Sequence, residues 1–200
     1  MSSDWDNVLW DDFNGGAINA DLWDAVDGVG AGASGIIASV TGGAAYVTTG
    51  GNLNDWRYLR MLNTFGNYYT SKNFVYAVRL KVFNAATTYN MWLQMYNGAA
   101  EYIKFEIGTD TPNGAISTTR TGGVSTTENI THSHDTDFHK LTIVGRSSSV
   151  KFLIDDSLKQ THTTNITATS LHPWVGIKTL VAATRTIYID YIFLKTDRDT

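Results

Sequence analysis

The 200-residue sequence predicts an all-β sandwich, and three observations carry that prediction. Apolar and polar residues alternate with period 2 in run after run, whereas a 3.6-residue period is nearly absent. The runs are separated by connectors rich in Gly, Thr, Asn and Ser. So many strands leave edges that only two stacked sheets or a closed barrel can manage. With no composition shift, Pro-rich linker or internal repeat, residues 1–200 read as one domain.

Taken in order, residues 35–40 and 44–49 are strands bounded by Gly28–Gly35, Gly42-Gly43 and Gly50-Gly51. Residues 52–62 are ambiguous. Leu53, Trp56 and Leu59 fit a helical face, while Trp56, Tyr58, Arg60 and Leu62 fit a strand, which is preferred. Residues 73–83 set Val78, Leu80 and Val82 against Arg79 and Lys81. Residues 89–96 and 101–108 form a hairpin, 114–119 run toward Gly122-Gly123, 138–146 with 149–155 form a second hairpin, and Asp155-Asp156 forms a hairpin turn. Residues 173–179 and 185–195 complete the set.

Composition bounds the chemistry. With no cysteine, disulfides and thiolate metal sites are excluded, and stability rests on the 42% apolar content, including 6 Trp, 10 Tyr and 8 Phe. Charged residues make up only 17%, so the surface is hydroxyl-rich. A net charge of −4 without a Lys/Arg cluster argues against nucleic acid and against an anionic membrane surface. No stretch approaches the roughly 18 apolar residues of a membrane span, so membrane insertion is not expected, and the residues after Met1 do not form a signal peptide.

Four segments, in order, resemble the concanavalin A-like lectin/glucanase superfamily and its laminarinase-like glycoside hydrolases. They are Leu9-Trp-Asp-Asp-Phe-Asn-Gly through Trp23, Phe74 to Val82, the pair Asp137-Phe-His-Lys-Leu-Thr-Ile-Val144 and Val150-Lys-Phe-Leu-Ile-Asp-Asp-Ser-Leu158, and Ile187-Tyr-Ile-Asp-Tyr-Ile-Phe-Leu194. The resemblance implies a concanavalin A-like jelly-roll β-sandwich of two antiparallel sheets, one concave and one convex, with Phe74–Val82 leading into the concave sheet. It also implies a structural Ca²⁺ held by Asp190 and a backbone carbonyl near Gly43.

Successive strand side chains point to opposite faces. Met91, Leu93 and Met95 therefore face a core with Ile103, Phe105 and Ile107. The other face is expected to gather Arg79, Lys81, Trp92, Gln94, Tyr96, Tyr102, Lys104 and Glu106. Flat aromatics among hydrogen-bonding groups suit the apolar faces and hydroxyl rims of sugars. A protein interface or a plain polar sheet face fits the same residues.

Retaining glycosidases need two carboxyl groups roughly 5–5.5 Å apart. The resembling enzymes use Glu-x-Asp-x-(x)-Glu, with the acids on one face, and the corresponding run here is Glu101-Tyr-Ile-Lys-Phe-Glu106. Were the chain a hydrolase, the resemblance makes Glu101 the nucleophile and Glu106 the acid/base. Ile103 stands in place of the central acid, and without a bulge residues five apart face opposite ways. The expectation is therefore that the chain is not an enzyme. His132, His134, Asp135, Asp137 and His139 have the composition of a divalent-metal site, although a solvated loop is preferred.

Two function classes follow. The first is a non-enzymatic structural or adhesion protein of a virion, such as a phage capsid decoration or tail-associated protein, made in the host cytoplasm without an export signal. Its partners would be capsid or tail proteins, cell-surface polysaccharide, or a second copy of the chain. The alternative is an extracellular carbohydrate-binding module or a diverged endo-β-glucanase.

Overall fold

The computed structural model describes residues 5–28, 30–37, 43–62, 68–69, 73–83, 88–111, 113–133 and 135–197. Among them are sixteen strands and no helix. They are β1 (Trp5–Asp11), β2 (Trp23–Asp27), β3 (Ala33–Ile36), β4 (Ala45–Thr48), β5 (Trp56–Met61), β6 (Tyr68–Tyr69), β7 (Phe74–Val82), β8 (Tyr89–Tyr96), β9 (Tyr102–Gly108), β10 (Gly114–Thr121), β11 (Val124–Thr131), β12 (His139–Arg146), β13 (Ser149–Ile154), β14 (Ser157–His162), β15 (Ser170–Thr179) and β16 (Thr186–Asp197). Residues 52–62 resolve as the strand β5.

The strands make two antiparallel sheets. The groove sheet runs β11-β10-β9-β8-β15-β5-β2, with β6 on β15, and the back sheet runs β14-β13-β12-β7-β16-β4-β3, with β1 on β16. Five well-formed strands lie outside the sequence-predicted set: β1, β2, β6, β11 and β14. In β11 the reason is physical: this edge strand is almost wholly exposed and rich in Ser and Thr, so it carries no apolar alternation.

The core lies between the sheets. Met91, Leu93, Met95, Ile103, Phe105, Ile107, Val175 and Ile177 face Val78, Leu80, Val82, Leu141, Ile143, Phe152, Ile187 and Ile192, all buried. Phe105 and Phe152 meet edge to face with centroids 5.5 Å apart, joining the two layers directly. Beside them His162 is buried, its Nε2 paired with Ser117 Oγ at 2.9 Å and its Nδ1 with Thr119 Oγ1 at 3.0 Å. Burial lowers its pKa, so the ring is held neutral as a strut between β14 and β10. Tyr76 is fully buried, and burial pushes its phenol well above the usual range.

The turn at Asp155-Asp156 forms as expected. Both residues have positive φ, 50° and 63°, the conformation a two-residue hairpin turn demands. Asp155 also caps the second hairpin, because its Oδ1 accepts the Lys140 N–H at 2.9 Å and its Oδ2 pairs with His139 Nδ1 at 2.7 Å.

Candidate functional site

The outer face of the groove sheet is set by register. Glu106 lies opposite Trp92, Lys104 opposite Gln94, and Tyr102 opposite Tyr96 across β8 and β9. On the other side of β8, β15 places Lys178, Gly176, Trp174 and His172 opposite Asn90, Trp92, Gln94 and Tyr96. Beyond it, β5 adds Trp56, Tyr58 and Arg60. Period-2 alternation sends all of these to the face away from the core.

The result is a groove of about 470 Å³, lined chiefly by Trp56, Tyr58, Trp92, Tyr96, Trp174 and Glu106. Its floor is an aromatic row. Trp56 stacks on Tyr58 at 5.1 Å, Tyr58 on Trp174 at 4.2 Å, and Tyr96 lies tilted against Trp174 at 4.2 Å. Burial raises the Tyr58 phenol, although Arg60 opposes the shift, so its hydroxyl stays neutral. Beside the row Lys104 lies over the Trp92 ring, 5.2 Å from the centroid, and pairs with Glu106, whose other oxygen accepts from Asn90 Nδ2 at 2.7 Å.

Gly176 makes this floor possible. A Cβ there would lie 2.5 Å from Tyr58 Cβ, 2.7 Å from the Arg57 carbonyl and 3.0 Å from the Trp92 ring. Gly176→Ala should therefore displace Tyr58 and Trp92 and cost about 1–3 kcal/mol. Thermal unfolding and tryptophan emission should both shift, and an unchanged melting temperature would contradict the tight contact.

Three polar groups of the lining, the indole N–H of Trp92, that of Trp174 and Asn90 Oδ1, are buried without a hydrogen-bond partner among the described residues. Orphaned buried groups are costly, about 1–3 kcal/mol each. A hydroxyl that enters between the rings gives each a partner.

Of the binding residues named from sequence, Trp92, Gln94, Tyr96, Tyr102, Lys104 and Glu106 share this face. Arg79 does not. Its strand β7 belongs to the back sheet, between β12 and β16, so Arg79 and Lys81 point outward on the opposite side of the molecule, against Phe138. Alternation identified the face of β7 correctly but could not say which sheet holds it, and the chain crosses between sheets after Val82. Trp56, Tyr58, Trp174, Gly176 and Lys178 were missed, because their neighbours in the groove are remote in sequence; Asn90 was missed although its alternation with Trp92 along β8 is a local signal.

The carboxylate pair does not form. Glu101 precedes β9 at the hairpin tip, where its Oε1 accepts the Gly122 N–H at 2.7 Å. Burial works against its charge, but hydrogen bonds from Thr167, the Gly122 amide and Thr121 hold its carboxyl below the ordinary range. With the Gly123 N–H on the Ala100 carbonyl at 3.2 Å, Glu101 latches two hairpin tips together. Five residues of unbulged strand put about 16 Å of backbone between Glu101 and Glu106, against the roughly 5–9.5 Å that glycosidase carboxyl pairs span. Ile103 is fully buried in the core. The positions that alternate with Glu106 on the groove face are Lys104 and Tyr102.

Asp190 sits at a bulge in β16 and is ion-paired with Arg79. That guanidinium neutralises the carboxylate a Ca²⁺ would need, so the residues do not suit the implied calcium. Gly43, at φ 80°, is required for packing, since a Cβ would lie 2.4 Å from the Phe13 carbonyl. Among the described residues no group of three His, Asp or Glu could hold a metal. His134 lies outside the described residues.

His139 bridges Asp135 through Nε2 at 2.9 Å and Asp155 through Nδ1 at 2.7 Å, with His132 edge-on at 4.9 Å. Burial lowers its pKa, but the bonds to Asp155 and Asp135 outweigh that and carry it above the ordinary value. Both aspartates are held low. A raised histidine contributes stability below its unfolded value of about 6.5, and that contribution is lost as pH rises through the folded value. His139→Ala should therefore lower the melting temperature more at pH 5.5 than at pH 8.5. An equal or reversed gap would show that the bridge carries no charge.

A scan against models of known protein families and a search of curated proteins found no match to this sequence. Solved structures do match. The chain is similar to a Bacillus licheniformis β-glucanase at 14% identity and TM-score 0.69, covering 97% of this chain and 99% of that one. It is similar to a β-1,3-glucanase from Mycobacterium marinum at 9% and 0.70, covering 93% and 97%. It also matches an endo-β-1,3-glucanase from Pyrococcus furiosus at 12% and 0.70, covering 98% and 96%.

These neighbours overturn the expectation that the chain is not an enzyme, since the fold it shares over almost its full length is, in each of them, that of a glucanase. The core position expected for Ile103 from its alternation with Phe105 and Ile107 is the one observed. Ile103 faces the core, and Glu106 stands on the groove face. The structures named here give the virion reading no support. The chain has the concanavalin A-like lectin/glucanase jelly-roll fold, two antiparallel sheets with an aromatic groove on one of them.

Proposed function

We propose that the protein is carbohydrate-active and holds a β-linked polysaccharide along the groove sheet. The observation that carries this reading is the row Trp56, Tyr58, Trp174 and Tyr96, with unpartnered indole N–H groups set into it. The apolar surface of the stacked row meets the C–H faces of sugar rings, while Gln94, Lys104, Glu106 and Asn90 meet hydroxyls. The likeness to glucanases favours a β-glucan as the polymer. Titration with laminarin oligosaccharides followed by tryptophan fluorescence tests it, and saturable quenching is expected.

A second reading, cleavage of that polymer, is favoured by the same likeness and by Glu106 on the groove face. There Glu106 would be the proton donor to the glycosidic oxygen. Reducing-sugar release that disappears in Glu106→Gln would support it. Binding with no release in the wild-type protein would leave the groove as a binding site alone.

A further inference from the structure

The groove's charges do not follow those of the chain. The protein has a net charge of −4, yet the groove face carries Arg60, Lys104, Arg120 and Lys178 against only Asp24 and Glu106. Arg60 is neutralised by Asp24 and Lys104 by Glu106. The surplus is therefore positive. Lys178 lines the groove opposite Asn90 and makes no ion pair with any described residue. Arg120 lies at the far side over the Tyr102 ring, 5.8 Å from its centroid, with a buried Nε that has no partner among the described residues.

The unfilled hydrogen-bonding groups lean the same way. Two buried indole N–H donors without a partner among the described residues and the Lys178 ammonium line the groove, beside one buried acceptor in the same condition, Asn90 Oδ1. A neutral sugar hydroxyl can accept from the indole N–H groups, but it does not neutralise the Lys178 ammonium. Carboxylate and sulfate oxygens accept only, and form the stronger charge-assisted bonds.

Resting on the polysaccharide reading above, we infer that the groove takes an acidic β-linked polysaccharide, one bearing carboxylate or sulfate groups, with Lys178 receiving the anionic substituent. Both sources share one chemistry, a tetrahedral or planar oxyanion beside a sugar ring stacked on Trp56 and Trp174. Lys178 is a point charge on a flexible stem, suited to either.

The test compares one backbone in three forms: laminarin, carboxymethylated laminarin and sulfated laminarin, each titrated at 50 and 500 mM NaCl. At 50 mM an acidic form should bind at least tenfold tighter than neutral laminarin, and the gap should narrow at 500 mM because the contact is ionic. Lys178→Gln should weaken the acidic form at least fivefold more than the neutral one, whereas Lys151→Gln, exposed on β13 of the back sheet, should leave the gap unchanged. The tighter acidic form identifies the anion. Equal affinities, or a gap that Lys178→Gln leaves intact, overturn the inference while the polysaccharide reading stands. Failure of all three forms to bind overturns both.

Discussion

Trp174→Ala is expected to weaken oligosaccharide binding about 30-fold, since a central aromatic anchor is worth about 2 kcal/mol or more when truncated. Trp174 is the middle of the row. It is 4.2 Å from both Tyr58 and Tyr96, so its loss removes the ring between them and lets both neighbours shift. It also removes an indole N–H that has no partner among the described residues. The fold should survive, because the core beneath belongs to Val175 and Ile177, whose side chains point the other way. Trp10→Ala is the control. Trp10 is exposed on the back sheet, stacked on Tyr191 at 4.6 Å, and its removal should leave affinity unchanged. Equal effects of the two variants would mean that the groove is not where the sugar sits.

Phe152→Ala should cost about 3–5 kcal/mol, the range for deleting a buried aromatic. Phe152 is fully buried, meets Phe105 across the sheet interface at 5.5 Å and lies 5.0 Å from the His162 ring. Its loss opens a cavity bordered by both sheets and loosens the neutral histidine strut. For a chain of this length each kcal/mol moves the melting temperature by about 2–4 °C, so a fall of roughly 6–20 °C is expected. A fall below about 3 °C would show that the sheets do not close over this position.

Much of the fold is legible in the sequence, because most strands that face the core must alternate. Met91, Leu93 and Met95 announce β8, and Ile103, Phe105 and Ile107 announce β9, from local pattern alone. What alternation cannot say is which sheet a strand joins. Arg79 was placed beside Trp92 because β7 and β8 are consecutive in the chain, yet they lie in different sheets. Trp174 was missed for the converse reason. The alternation of His172, Trp174, Gly176 and Lys178 is visible, but their pairing with β8 spans some eighty residues, and local pattern is silent about it. Glu101 shows a third limit. Its identity matched a carboxylate pattern, but its place one residue before β9 gave it to the Gly122 amide instead of to the groove.

The groove reading also separates the two ends of the Glu101–Glu106 segment by role. One end locks hairpin tips together, and the other, Glu106, stays on the face where a sugar would lie. A carboxylate in the groove, paired with Lys104 and Asn90, offers charged acceptor oxygens to the hydroxyls of a sugar.

The most direct measurement is the indole N–H spectrum recorded while a laminarin oligosaccharide is added. The account predicts that the Nε1–H signals of Trp92 and Trp174 move on saturation, because these two groups gain hydrogen-bond partners. Trp23, whose indole already donates to Asp11 at 2.7 Å, and Trp10 on the back sheet should stay still. Movement of Trp10 alone, or no movement of Trp92 and Trp174 at saturation, would contradict it.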